Sequence, residues 1–229
     1  LVRVTANRIQ IKDFKDINIE DASMTIFLKD NNIVHPFVNF SYFSKTKDVK
    51  AYRDIKPLSK QPFTSEYHKM FFYTDEMMWN LDSTIIKFFM ITLSGDKPAI
   101  FESFNYYQPN LENKYKGPSE QGQIDKIFRY YDSGGDRFVD ARGLAADINP
   151  GAPYAATESV FYKLVEDGYI NYNPSTRIIE VKEKLVNQAM AARGKQDYDF
   201  IKFASFKRNL NARLDIKTNI LEVYGVEEI

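Results

Sequence analysis

Helical periodicity is confined to one stretch of this chain, residues 119–186, while both flanks alternate apolar and polar residues with the period of two that strands require. That contrast constrains the fold more than any composition figure, because it demands a β-rich body carrying a helical insert. Within the stretch, Ile124, Ile127, Phe128 and Tyr131 fall at i, i+3, i+4 and i+7, one face of a helix. Ser119 after Pro118 is its expected N-cap, and Ser133-Gly134-Gly135 should end it near Asp132. A second helix is predicted from about Asp140, with Leu144, Ala145 and Ile148 on one side; Asn149-Pro150 stops it, since the residue before proline is pushed out of the α region. A third starts after Pro153, buries Val160, Phe161, Leu164 and Val165, and closes at Gly168. Residues 170–172 and 177–181 then form a hairpin around Asn173-Pro174-Ser175-Thr176. Phe128, Leu144, Phe161, Leu164 and Ile179 should make one small core apart from the β-core.

The flanks read as strands. Val2 and Val4, Ile9 and Ile11, Ile17 and Ile19, then Val38, Phe40 and Tyr42 are each spaced by two, with turns expected at Lys12-Asp13, Glu20-Asp21 and Asp30-Asn31-Asn32. Residues 44–66 carry Lys45, Lys47, Lys50, Arg53, Lys56 and Lys60 among two prolines, the pattern of a solvated basic loop; gripping phosphate or anionic lipid is the functional alternative. Strand patterns resume at 69–73, 77–81, 85–93 and 99–107, with turns at Asp82-Ser83 and Ser94-Gly95-Asp96, and 108–117 is a polar linker. Behind the hairpin come a short helix over 184–192, stopped by Gly194, and strands over 200–206, 212–216 and 220–224. Residues 214–224 align without gaps on 79–89, both strand-turn-strand, and 28–34 is a looser copy. Repetition on both sides of the helices implies an insert in a continuing β-stack. The expected fold class is therefore α+β, mostly β: a stacked antiparallel β-repeat, jellyroll-like or solenoid-like, interrupted by a small helical module. Its expected divisions are 1–117, 118–195 and 196–229, and the second copy should leave an open edge toward Ile229.

Three helices followed by a hairpin resemble a winged-helix domain, with the third helix in the recognition position and 173–176 as the wing. That resemblance implies a reading face of Thr157, Glu158, Ser159, Tyr162, Lys163, Glu166 and Asp167, which holds one cation against three carboxylates. Residues 119–185 hold eight Lys and Arg against eleven Asp and Glu, a net of −3, so nucleic acid is disfavoured as a partner. Residues 131–143 also resemble an EF-hand loop, with Asp132, Asp136, Val139 and Asp140 at loop positions one, five, eight and nine. Gly134, Arg137 and Gly143 replace the third ligand, the turning glycine and the bidentate glutamate, so the resemblance implies no competitive calcium site.

Net charge is zero, 31 cations against 31 anions, and no global field recommends an anionic partner. The absence of cysteine excludes disulfides and thiolate chemistry. His35 and His68 lack the spacing of a metal site or triad, Gly134-Gly135 lacks a phosphate-loop context, and Trp79 reads as core; no enzyme, cofactor or metal is expected. No apolar run approaches the roughly 20 residues of a membrane-spanning helix. The strand repeats are similar to the stacked β-jellyroll proteins that shuttle lipopolysaccharide across the bacterial periplasm, and the whole chain to large extracytoplasmic proteins of Bacteroidetes-type bacteria. These resemblances imply a noncatalytic structural or interaction segment of a longer protein in the periplasm or cell envelope. The start at Leu1 without methionine agrees with a segment. Its partner would be another protein or the rest of its own chain. The alternatives are a nucleic-acid-binding winged-helix regulator and a lipid or glycan carrier using the aromatic face of the stack.

Overall fold

The computed structural model describes residues 1–13, 15–91, 97–109, 114–115, 122–134 and 136–228. The expected Ser119 cap, the Ser94-Gly95-Asp96 turn and Gly135 lie outside the described residues. The chain divides into a unit made of Leu1–Ser103 and Ile201–Ile229 and a second unit, Phe104–Phe200. The fold is mostly β, with one large antiparallel sheet curled nearly into a barrel.

In the first unit that sheet begins with β1 (Val2–Thr5), β2 (Gln10–Lys12), β3 (Asp16–Phe27), β4 (Asn32–Phe43) and β5 (Asp48–Tyr52). It continues with β6 (Phe63–Ser65), β7 (Met70–Tyr73), β8 (Glu76–Asn80), β9 (Ile85–Phe89) and β10 (Ala99–Ser103). Its last strands are β14 (Lys202–Ser205), β15 (Ala212–Asp215), β16 (Ile220–Val223) and β17 (Val226–Glu228). One edge of β4 takes β3; the other is shared, residues 39–43 pairing with β5 while Ile33 and Val34 pair with β6. From that fork one branch runs β5, β8, β9, β15, β16 and the other β6, β7, β10, β14, β17. Because β14 is followed by β15 and β16 by β17, the same two segments reunite the branches at the far side.

Both joins need strands that bend, and each is held by a buried polar side chain. In β3 the register shifts around Asp21, whose φ is 53°, so the turn expected at Glu20-Asp21 is instead a bulge within one long strand. A second shift, between Ala22 and Met24, lies opposite Pro36, which cannot donate to the ladder. The fully buried His35 covers this point: its Nδ1 accepts from Phe37 N at 3.1 Å and its Nε2 donates to Gln61 O at 2.8 Å. At the other join, buried Asn211 donates through Nδ2 to Lys207 O (2.8 Å) and Ser205 Oγ (3.0 Å) while its Oδ1 accepts from Met90 N (2.7 Å). Gly225, φ 61°, turns β16 into β17; a Cβ there would meet Lys207 Cβ at 2.9 Å, which only glycine avoids. Phenylalanines fill the space between the branches. Phe88 of β9 packs on Phe72 (5.1 Å between centroids) and Phe63 (6.1 Å), and Phe72 on Phe101 (5.3 Å), all four fully buried.

The basic stretch is not a loop throughout, since β5 lies inside 44–66 with Val49 and Ala51 buried. Its Asp-Val-Lys-Ala-Tyr alternation puts the cation on the outer face, where Lys50 pairs with Glu76 at 2.7 Å. The sequence repeat reappears as register: Trp79 faces Ile86 and Met77 faces Phe88 in one hairpin, Leu214 faces Leu221 and Ala212 faces Val223 in the other. The turns agree as well, Ser83 Oγ accepting from Ile85 N (3.1 Å) and Thr218 Oγ1 from Ile220 N (3.4 Å). The copies lie side by side in one sheet, β9 paired with β15, where successive rungs of a stack would place them on separate levels. After the second copy the chain pairs again as β17 on β14, so the edge left open by that copy is β16 itself.

The second unit contains α1 (Gln123–Gly134), β11 (Phe138–Asp140), α2 (Ala141–Ile148), α3 (Tyr154–Glu166), β12 (Ile170–Asn173), β13 (Ile178–Val181) and α4 (Glu183–Ala192). Strand β11, absent from the sequence reading, adds to the expected hairpin in the order β11-β13-β12, with Val139 opposite Ile179. Helix α2 accordingly starts one residue later than expected, with Asp140 as N-cap accepting from Gly143 N at 3.0 Å. Helix α3 closes as a Schellman motif, Gly168 (φ 79°) donating to Val165 O and Tyr169 to Leu164 O. Phe128, Leu144, Phe161, Leu164 and Ile179 are all buried, and none belongs to the phenylalanine core of the first unit.

Candidate functional site

The three EF-hand-like carboxylates sit on separate elements. Asp132 is in the last turn of α1, Asp136 accepts from Phe138 N at 2.9 Å, and Asp140 is the cap of α2. Among the described residues no group of three or more His, Asp or Glu side chains is placed to hold a metal ion. The cations of 44–66 are also largely engaged: Lys47 with Asp82 (2.9 Å), Arg53 with Asp75 (3.1 Å) and Lys56 with Asp21 (2.6 Å).

The face that the winged-helix resemblance puts in the reading position is taken up by burial and by its own hydrogen bonds. Thr157 is 1% exposed, and Ser159 Oγ donates back to Ala156 O at 2.7 Å. The Asp167 carboxylate receives the Tyr115 hydroxyl and the Lys114 ammonium. Burial, then the Asp167 charge, pushes the Tyr115 hydroxyl far above the ordinary tyrosine range. Nearby, Lys184 donates to Asp167 O at 2.7 Å and lies 4.9 Å over the Tyr169 ring. Burial lowers the Lys182 ammonium to about 8, although Glu180 opposes the shift. These contacts fasten the end of α3 to the start of α4.

Two side chains of that face, Glu158 and Tyr162, belong to one cluster. Tyr154, Glu158 and Tyr162 follow one another at intervals of four along α3, so they form a stripe, and Tyr172 of β12 packs over it. The Tyr172 hydroxyl donates to Glu158 Oε1 at 2.6 Å and sits 2.9 Å from the Tyr154 hydroxyl. The Tyr162 ring meets Tyr172 edge-on at 5.6 Å, and Phe161 lies beneath both Tyr172 (5.6 Å) and Tyr154 (6.4 Å). Arg177, in the wing turn, covers the Tyr154 ring at 4.9 Å. Burial, followed by the Glu158 bond, raises the Tyr172 hydroxyl far above its usual range, and burial with the Glu158 charge raises Tyr162. The i, i+4, i+8 spacing was visible in sequence; the contribution of Tyr172 needed the fold of β12 against α3.

In the first unit, His68 Nδ1 lies 2.7 Å from Ser65 Oγ and its Nε2 lies 2.8 Å from Asn219 O. A carbonyl only accepts, so Nε2 carries the proton and Nδ1 accepts from the serine. The pair has the polarity of a nucleophile and its base, yet Ser65 is fully buried and presents no oxygen to a substrate. Its effect is mechanical, tying the turn before β7 to the turn before β16. Burial lowers the His68 pKa from 6.5, against the Asn219 bond, so the fold favours the neutral ring. The stabilisation is complete above pH 6.5 and is lost as pH falls through the lower folded value, because the unfolded chain takes up the proton first. A plot of melting temperature against pH should therefore slope upward toward pH 6.5, and His68→Gln should flatten it; an identical slope in the variant would rule out His68 as the source.

The chain matches no family model, no curated protein and no solved structure.

Proposed function

We propose that the chain is a noncatalytic structural and interaction segment of a larger bacterial protein, with Phe104–Phe200 as its recognition unit. The observation that carries this reading is the composition of the α3 surface, where tyrosine rings and a carboxylate stand in the place of the lysines and arginines that phosphate contact requires. The winged-helix reading of the unit is supported by its chain order, helix, strand, helix, helix, hairpin, and by the sheet order β11-β13-β12. An extracytoplasmic location and kinship with stacked jellyrolls rest on the resemblance of the strand repeats. Lipid carriage is less well supported, because closely packed phenylalanine rings fill the space between the branches of the sheet.

The test is fluorescence anisotropy with a labelled duplex at physiological salt, together with native mass spectrometry of the purified chain. No saturable duplex binding tighter than about 10⁻⁴ M is expected, and no lipid adduct. Micromolar binding that weakens steeply with salt would replace this reading with the regulator, and a stoichiometric lipid with the carrier.

A further inference from the structure

We propose that Tyr154, Glu158, Tyr162 and Tyr172 form a binding site for an N–H-bearing organic cation, with a guanidinium group as the best fit. The hydroxyl protons fix the polarity. Tyr172 donates to Glu158 Oε1, so at the 2.9 Å contact Tyr154 must donate to the Tyr172 oxygen, and the relay of protons ends on the carboxylate. What the cluster offers outward is a half-buried anion, phenolic oxygen and the Tyr162 ring. Among the described residues no cation is paired with Glu158, and none lies over Tyr162.

Other aromatic rings of the same unit show how this chain satisfies such a face. Arg193 lies 4.4 Å from the Phe128 centroid, Arg177 4.9 Å from Tyr154, Lys184 4.9 Å from Tyr169 and Lys114 5.4 Å from Tyr115. Tyr162 has the same kind of ring and a carboxylate one helical turn away, without the cation. An arriving group must therefore supply both positive charge and hydrogen-bond donors. A quaternary ammonium brings only charge. A guanidinium can stack flat on Tyr162 while donating in its plane to Glu158. Arg177 on the far ring of the stripe shows that a guanidinium fits this aromatic surface. The source of the group, an arginine of a protein partner, rests on the interaction reading above; the chemistry of the site does not.

The experiment is an NMR titration of the full chain at constant ionic strength, following the Tyr154, Tyr162 and Tyr172 ring signals. Ethylguanidinium, tetramethylammonium and the peptide acetyl-Gly-Arg-Gly-amide are the probes. Ethylguanidinium should bind saturably with Kd on the order of 1–10 mM, as expected for one exposed cation–π contact plus one charge-assisted hydrogen bond. Tetramethylammonium should be at least about tenfold weaker, and Glu158→Gln should cost about tenfold while leaving the acceptor for Tyr172 in place. Tyr162→Ala should cost about fivefold and serves as the independent variant should Glu158→Gln unfold. Linear, non-saturating shifts, or a Kd unmoved by both substitutions, would overturn the site. Binding of ethylguanidinium without the peptide would overturn the protein source alone. Duplex or lipid binding in the earlier assays would sink the interaction reading and leave this titration unaffected.

Discussion

Asn211→Ala is expected to destabilise the protein by about 3–5 kcal/mol, because one side chain serves both branches of the sheet where they rejoin. Its Oδ1 holds Met90 N, at the end of β9, while its Nδ2 holds Lys207 O and Ser205 Oγ beside β14. Asn211 is 1% exposed, so water cannot replace the lost partners without entering the corner. Each buried group left unsatisfied costs about 1–3 kcal/mol, and at least two are stranded. The backbone bonds of residue 211, to Phe88 O and from Tyr224 N, survive the substitution and separate the side-chain effect from loss of the strand. Equilibrium urea unfolding measures the difference, and a loss below about 1 kcal/mol would mean that the corner is held by its backbone alone.

Phe88→Ala should cost a similar amount, about 3–5 kcal/mol, for a different reason. Phe88 is fully buried, and its ring touches Phe63 and Phe72 of the opposite branch, so its removal leaves a void at the contact that keeps the two branches apart at the right distance. The close-packed surroundings cannot collapse without moving strands on both sides. Phe88→Leu, which refills most of the volume, should recover more than half of the loss in the same unfolding experiment. Equal destabilisation by both variants would indicate that the ring geometry matters more than the filled volume.

The features legible in the sequence were the local ones. Periodicity located α1, α2 and α3 and the hairpin that follows them, because Ile124, Phe128, Leu144, Phe161 and Leu164 each obey a 3.6-residue pattern over ten or so positions. The repeat of 79–89 in 214–224 carried through to the pairing register, since alternation decides which residues face inward. What failed was short or contextual. Phe138-Val139-Asp140 is too brief to alternate visibly, and its strand exists only because β13 supplies a partner. The bulge at Asp21 looked like a turn because a polar pair with a left-handed residue serves either purpose. Six cations concealed β5, whose buried positions are one valine and one alanine. For the cation site, Glu158 and Tyr162 lay on the face set out from the sequence; Tyr154, one turn before Glu158, and Tyr172 did not, as nothing local in Ile170–Asn173 says which helix Tyr172 will cover.

The forked sheet also sets a timetable for synthesis. The far edges of β9 and β10 are filled by β15 and β14, which follow only after the 97 residues of Phe104–Phe200 have been made. At a ribosomal rate of about 5–20 residues per second, those edges wait roughly 5–20 seconds for their partners. During that interval the nascent chain presents two bare ladders flanked by Phe88 and Phe101, the kind of template that captures strands from neighbouring chains. A helical unit able to acquire its short-range contacts while the ladders wait would occupy that interval productively. The chain's yield in cells should then depend on translation speed across the insert more than on the final stability of either unit.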